Sequence, residues 1–175
     1  MILDKPVFAF VGRSNSGKSS LLNTLSNQIK LAKVGQTPGV TKTANVFLAN
    51  NKFYLVDLPG YGFAKMSKTE RIKLENLIFW FLLNKYNNLR QLYILIDSKI
   101  GLTILDQEFI DFVDQQQIPT TLIASKIDKL KPSHITSQLK QISFQHNKNY
   151  PLIPFSNIIQ KGKNELIESI LSLLK

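Results

Sequence analysis

The stretch Gly12-Arg13-Ser14-Asn15-Ser16-Gly17-Lys18-Ser19 follows the apolar run Pro6–Val11 and opens a pattern with Leu21, Leu22 and Leu25 on one helical face. Strand, glycine-rich loop and helix thus come in the order that a phosphate-cradling loop requires. Gly12 and Gly17 let the backbone curl so that the amides of Arg13, Ser14, Asn15 and Ser16 turn inward. Lys18 offers a positive charge to β- and γ-phosphates, and the Ser19 hydroxyl offers a ligand to Mg²⁺. Alone, this stretch implies bound phosphate and no more.

Two further motifs narrow it. Asp57-Leu58-Pro59-Gly60 closes the apolar run Phe53–Val56. A carboxylate there holds Mg²⁺ through water while the Gly60 amide touches the γ-phosphate, so loss of that phosphate frees the loop. Ser125-Lys126-Ile127-Asp128 closes the run Thr120–Ala124. Asp128 can accept two hydrogen bonds from the guanine N1–H and N2–H₂ edge, which adenine does not present. A site that leaves buried polar groups unpaired rejects the wrong ligand by about 10⁴–10⁵-fold. Lys126 would lie along the base, and Ser156-Asn157, beyond the last strand, would add backbone amides for guanine O6. In order, the three motifs point to guanine nucleotide, magnesium and a switch.

The region from Leu31 to Thr43 fits no periodic pattern and is read as a long loop, as is Pro59 to Ser67; such loops in a compact domain are usually functional. Thr41 is the first choice for a second magnesium ligand, with Thr37 and Thr43 as competitors that spacing does not separate.

Elsewhere apolar strand-like runs alternate with amphipathic ones, which implies a parallel sheet covered on both faces. Ala44–Ala49 and Phe53–Val56 stand close enough to form an antiparallel hairpin around Asn50-Asn51. The expected fold is α/β: a P-loop GTPase (G) domain with a mostly parallel, doubly wound sheet, one antiparallel strand, and residues 1–175 as a single domain. The chain has 175 residues, 43% apolar and 19% charged, values of a globular domain and not of a disordered one. It has no cysteine, which excludes disulfides, thiolate catalysis and cysteine-based zinc sites. No secretory signal is visible, and Leu77–Leu83 falls far short of the about 20 residues of a membrane span. A cytoplasmic location, without membrane insertion, is the expectation.

The formal net charge of +10 points to a polyanionic partner. A basic run, Lys65, Lys68, Arg71 and Lys73, lies beside the aromatic Tyr61 and Phe63. Those residue types grip an RNA backbone and stack on bases, although a solvated helix start with two core aromatics fits as well. Phe79, Trp80 and Leu83 widen the apolar stripe of their helix and are expected to be buried against the sheet. His134 and His146 have polar neighbours and are read as surface residues.

These motifs together resemble the translation-linked GTPases of the TRAFAC class, and most closely the EngB family. Gly12 to Asn23 resembles its P-loop and first helix, and Thr37-Pro38-Gly39-Val40-Thr41-Lys42 its first switch. Asp57-Leu58-Pro59-Gly60-Tyr61-Gly62-Phe63-Ala64-Lys65 is the most diagnostic match, and Phe155-Ser156-Asn157 with Gly162 resembles its last guanine loop. The resemblance favours Thr41 as the switch ligand, and places Gly39, Val40, Thr41, Lys42 and Thr43 against the nucleotide. It implies a GTP/GDP-binding protein, with Lys18, Thr41 and Gly60 serving the reaction and Ser19, Thr41 and Asp57 (through water) holding Mg²⁺. It further implies a role in assembly of the large ribosomal subunit, contact with its rRNA, and a need in cell division and septation. The chain departs from the family at Ser125, where threonine or asparagine is usual, and at Asn157, where a small residue is common. Eleven residues precede Gly12, so most of the N-terminal extension usual in the family is expected to be missing, and any ribosome contact made by that extension would be absent.

A glutamine after the Gly60 position would orient the attacking water; this chain has Tyr61, so slow turnover is expected. Asn15 stands where related GTPases help to bind K⁺, against the alternative that it bonds within its own loop. A monomer suffices. The competing readings are an adenine-nucleotide kinase or ATPase, a module whose nucleotide is never turned over, and a septum-directed GTPase without a ribosomal role.

Overall fold

A computed structural model of the chain describes residues 3–26, 29–36, 44–62, 67–84, 88–145 and 148–174. In chain order the elements are β1 (Val7–Gly12), α1 (Lys18–Ser26), β2 (Leu31–Gln36), β3 (Asn45–Ala49), β4 (Phe53–Asp57), α2 (Lys68–Leu83) and β5 (Leu89–Asp97). They continue with α3 (Ile104–Gln115), β6 (Thr120–Ser125), α4 (Pro132–Ser143), β7 (Phe144–Gln145), β8 (Lys148–Asn149), β9 (Leu152–Pro154) and α5 (Lys163–Ser172). Seven strands form one sheet in the order β2-β3-β4-β1-β5-β6-β9, and β7 and β8 form a separate small hairpin.

Among the described residues of the large sheet only β3 runs against its neighbours; the other pairings are parallel, as the alternation of strands and helices implies. Every residue of β1 is buried. The two-residue period still sorts them: Val7, Ala9 and Val11 join the cluster that takes Ile78 and Phe81 of α2 and Ile110 of α3. Phe8 and Phe10 join the opposite cluster with Leu21 and Leu25 of α1 and Leu166 and Ile170 of α5. The hairpin between β3 and β4 turns through Asn50 (φ 48) and Asn51 (φ 58), the two left-handed residues of a type I′ turn, which asparagine tolerates.

Part of the region read as a long loop is a strand. β2 pairs with β3 from Leu31↔Ala49 to Gln36↔Asn45, with a register shift between Lys33 and Gly35. It lies at the sheet edge with Ala32, Lys33 and Val34 all exposed, so no alternation marks it in the sequence. The expected burial of α2 also needs correction. Phe79 packs on Phe112 with ring centroids 4.4 Å apart, but Trp80 is 54% exposed and Leu83 49%. The face toward the sheet is filled by Leu74, Ile78, Phe81 and Leu82.

β1 ends beside both β4 and β5, which the chain reaches on opposite sides of it. Open α/β sheets bind ligands at such a point, beyond the carboxyl ends of the strands. All three motifs sit there.

Candidate functional site

The loop from Gly12 to Gly17 leaves β1 and enters α1, whose first amides have no intrahelical partner and carry the positive end of the helix dipole. A Cβ on Gly12 would lie 2.6 Å from Ser16 Oγ and 2.8 Å from the Leu95 carbonyl, so only glycine lets this loop fold back on β5. The Ser16 hydroxyl is buried and has no hydrogen-bond partner among the described residues. An open cleft of about 520 Å³ lies over the loop, lined by residues 13–20, Gly60 and Lys126.

Asp57 ends β4 opposite Phe10, and its carboxylate pairs with the Lys18 ammonium. The chain then returns to the loop. The Tyr61 amide donates to the Gly12 carbonyl at 3.3 Å, and the Ser14 amide to the Tyr61 carbonyl at 3.2 Å. A Cβ on Gly60 would lie 2.8 Å from the Gly12 carbonyl, so glycine permits this approach. The Tyr61 ring is buried, stacks on Phe109 at 4.8 Å, and donates its hydroxyl to Asp106 at 2.9 Å. Burial, with the Asp106 carboxylate next, pushes the phenol well above its ordinary range. The expectation that Tyr61 offers a ring to RNA is therefore corrected: it is a core residue. It is equally unable to orient a water at Gly60.

On the base side, Ser125 Oγ donates to the Ser16 carbonyl at 2.6 Å, with the Ile96 carbonyl at 3.1 Å. The hydroxyl kept at this position thus joins the guanine motif to the phosphate loop. Lys126, in the left-handed conformation at φ 58, donates Nζ to the Asn15 carbonyl and to Asp97, each at 2.6 Å. So the Asn15 carbonyl is engaged by Lys126, and no hydrogen bond within its own loop involves the side chain among the described residues. Asp97 was not singled out from the sequence; its signal is a carboxylate closing the buried strand β5 in register with Ser125.

Asp128 accepts from the Ser156 hydroxyl, which in turn accepts the Ile158 and Ile159 amides at 3.2 and 3.3 Å. The Ser156 amide donates to the Lys161 carbonyl at 3.0 Å. In this structure the Ser156 side chain thus contacts Asp128, and its amide is bonded within the loop instead of facing the cleft. The Asn157 side chain accepts from Thr24 Oγ at 2.6 Å, leaving its amide turned to no partner among the described hydrogen bonds. Thr24 too had no sequence signal. A second cleft of about 210 Å³ runs from Gly17 and Ser20 past Lys126 and Asp128 to Phe155 and Asn157, adjoining the first.

Ser19 at the start of α1 and Asp57 at the end of β4 are one hydroxyl and one carboxylate. That sparse set suits Mg²⁺, which completes its shell with phosphate oxygens and water. Among the described residues no group of three His, Asp or Glu side chains could hold a metal by itself. Gly39, Val40, Thr41, Lys42 and Thr43, with Thr37, lie outside the described residues, as do Phe63, Lys65 and His146. Lys68, Arg71 and Lys73 are exposed at the start of α2, and His134 is exposed on α4. No helix among the described residues is long and apolar enough to cross a membrane.

Residues 7–126 match the family model of the 50S ribosome-binding GTPase. A probable GTP-binding protein EngB of Thermotoga petrophila is 42% identical over 169 residues, covering 95% of this chain and 86% of that protein. The corresponding protein of Aquifex aeolicus is 40% identical over 169 residues, covering 97% and 91%. The chain belongs to the EngB family of GTP-binding proteins. Solved structures agree on the fold: a probable GTP-binding protein EngB superposes with a TM-score of 0.77 at 24% identity, over 96% of this chain and 98% of that one. Era in complex with MgGDPNP and nucleotides 1506–1542 of 16S ribosomal RNA superposes with a TM-score of 0.71 at 24% identity, over 97% of this chain and 57% of that one. The clefts described above therefore sit in an EngB-type GTPase fold, at the end of its central strands.

Proposed function

We propose that this EngB-family chain is a slow, magnesium-dependent GTPase switch that assists assembly of the large ribosomal subunit and so supports cell division and septation. The observation that carries the reading is one continuous site. Asp128, aimed by Ser156, faces a cleft that adjoins the phosphate loop, and Gly60 closes against that loop.

In this reading Asp128 selects guanine, Asn157 offers an amide to O6, and the loop amides with Lys18 hold the phosphates. Ser19 and Thr41, with Asp57 through water, would hold magnesium, which would supply positive charge to the phosphate oxygens. Gly60 reports the γ-phosphate. Hydrolysis then rests on positioning and charge, because the buried Tyr61 supplies no group for the attacking water. Slow turnover follows, with missing charge supplied by a partner or by K⁺ beside Asn15.

The ribosomal partner is supported by two things: the family's description and the net charge of +10. Lys68 and Arg71 stand at the first turns of α2, where cations oppose the helix dipole. Ser67 and Glu70 offset this with a capping box, and Arg71 pairs with Glu75 at 3.6 Å. We place the chain in the cytoplasm as a monomeric G domain over residues 1–175.

The test is co-sedimentation with purified large subunits, with GDP or a non-hydrolysable GTP analogue bound, across a salt series. Tighter binding with the analogue that weakens steeply with salt is expected from phosphate contacts. Binding to neither form removes the ribosomal role and leaves a division-linked GTPase.

A further inference from the structure

The carboxylate of Asp106 is completely buried at the first turn of α3, yet groups from three parts of the chain converge on it. Two belong to a helix cap: the Thr103 amide donates to Oδ2 at 2.9 Å and the Thr103 hydroxyl at 2.7 Å. The other two come from the nucleotide site. Arg13 Nε donates to Oδ2 at 3.1 Å, and the Tyr61 hydroxyl donates to Oδ1 at 2.9 Å. Capping alone does not require this. A cap carboxylate works at the surface, and burying one is costly unless it is paired and fully hydrogen-bonded.

What the burial achieves is a shared anchor. Arg13 directly follows Gly12, and Tyr61 directly follows Gly60. The two residues also form a parallel β-bridge that extends the β1–β4 pairing past the strand ends. Backbone bridge and side-chain anchor together place Gly60 against the phosphate loop.

We propose that Asp106 is a positioning residue for γ-phosphate recognition: through Tyr61 and Arg13 it holds the Gly60 amide in place before GTP binds. This rests on the proposed reading of the site as a GTP switch. Ordering a loop on binding subtracts its entropy from the affinity, and an anchor that orders it beforehand removes that loss. GDP carries no γ-phosphate and makes no use of Gly60. The Tyr61 arm of the anchor therefore acts on GTP and spares GDP, whereas the Arg13 arm steadies the phosphate loop that both nucleotides use.

The test compares wild type with Tyr61→Phe and Asp106→Asn, measuring affinity for GDP and for a non-hydrolysable GTP analogue alongside Tm. Tyr61→Phe removes one hydroxyl and keeps the stack on Phe109. It is expected to weaken the analogue by about tenfold, the scale of one hydrogen bond to a charged group, with GDP affinity unchanged. Asp106→Asn, which retains an acceptor for the cap, is expected to change the analogue in the same direction and further. Equal affinities in wild type and variants overturn the proposal, as does a parallel loss for both nucleotides with a lowered Tm, since either leaves Asp106 a purely structural cap. A wild-type chain that binds neither nucleotide overturns the underlying GTP reading and this one with it.

Discussion

The hydroxyl of Ser125 donates to the carbonyl of Ser16 across 109 positions of sequence, at 2.6 Å, so the guanine loop is bonded to the middle of the phosphate loop. Both residues are buried. Ser125→Ala leaves the Ser16 carbonyl without that donor, and a buried acceptor so orphaned costs about 1–3 kcal/mol. Urea denaturation should show a loss of that size. Ser125→Thr, which keeps the hydroxyl, should recover most of it.

Asp128 and Ser156 should separate into a selecting and an aiming role. Asp128→Asn is expected to abolish the preference for GDP over ADP. Ser156→Ala, which removes one hydrogen bond to the carboxylate, is expected to weaken GDP by about tenfold while the preference persists. Titration of both variants with fluorescent GDP and ADP checks this. If Ser156→Ala binds GDP like wild type, the aiming role is wrong.

Gly60→Ala introduces a Cβ 2.8 Å from the Gly12 carbonyl, where the neighbour is backbone and cannot swing aside. The loop must move off the phosphate loop. Single-turnover GTP hydrolysis should fall by at least about tenfold, as expected when a charge-stabilising donor is displaced.

Alkaline pH should destabilise the fold through its buried phenols. Burial raises Tyr93 to about 12, opposed by its hydrogen bond with Ser169. A group whose folded pKa lies above its unfolded value of 10 contributes stability that is complete below pH 10 and lost as pH rises toward 12. The loss from Tyr93 is about 2–3 kcal/mol over that window. Tyr93→Phe should flatten the decline of Tm above pH 10; an unchanged slope would show that Tyr93 does not titrate with unfolding.

The single tryptophan gives a simple check on α2. Trp80 is 54% exposed, so acrylamide should quench its fluorescence freely in the folded protein. Trp80→Ala should change stability by less than about 0.5 kcal/mol, as surface substitutions do. Strong protection from the quencher would mean that this face is covered.

Much of the site was legible because its motifs act through local backbone. Glycine at 12, 17 and 60, a strand before each loop, and a carboxylate at 57 and 128 state their chemistry without any distant partner. The same holds for the hairpin at Asn50-Asn51, whose two left-handed residues are a property of the turn itself. Strand β2 was not legible, since an edge strand with exposed residues exists only by pairing with β3.

Partner choice lay wholly with the tertiary structure. Arg13 meets Asp106 across 93 positions, Lys126 meets Asp97 across 29, and Ser156 meets Asp128 across 28. Tyr61 could have faced solvent or core on composition, and Trp80 likewise; packing against Phe109 decided the first and a face already filled by Ile78 and Phe81 decided the second. Local pattern sets what a residue can do at its own backbone. Which buried charge or ring it meets depends on how strands register and helices stack, and that information resides in contacts between segments far apart in the chain.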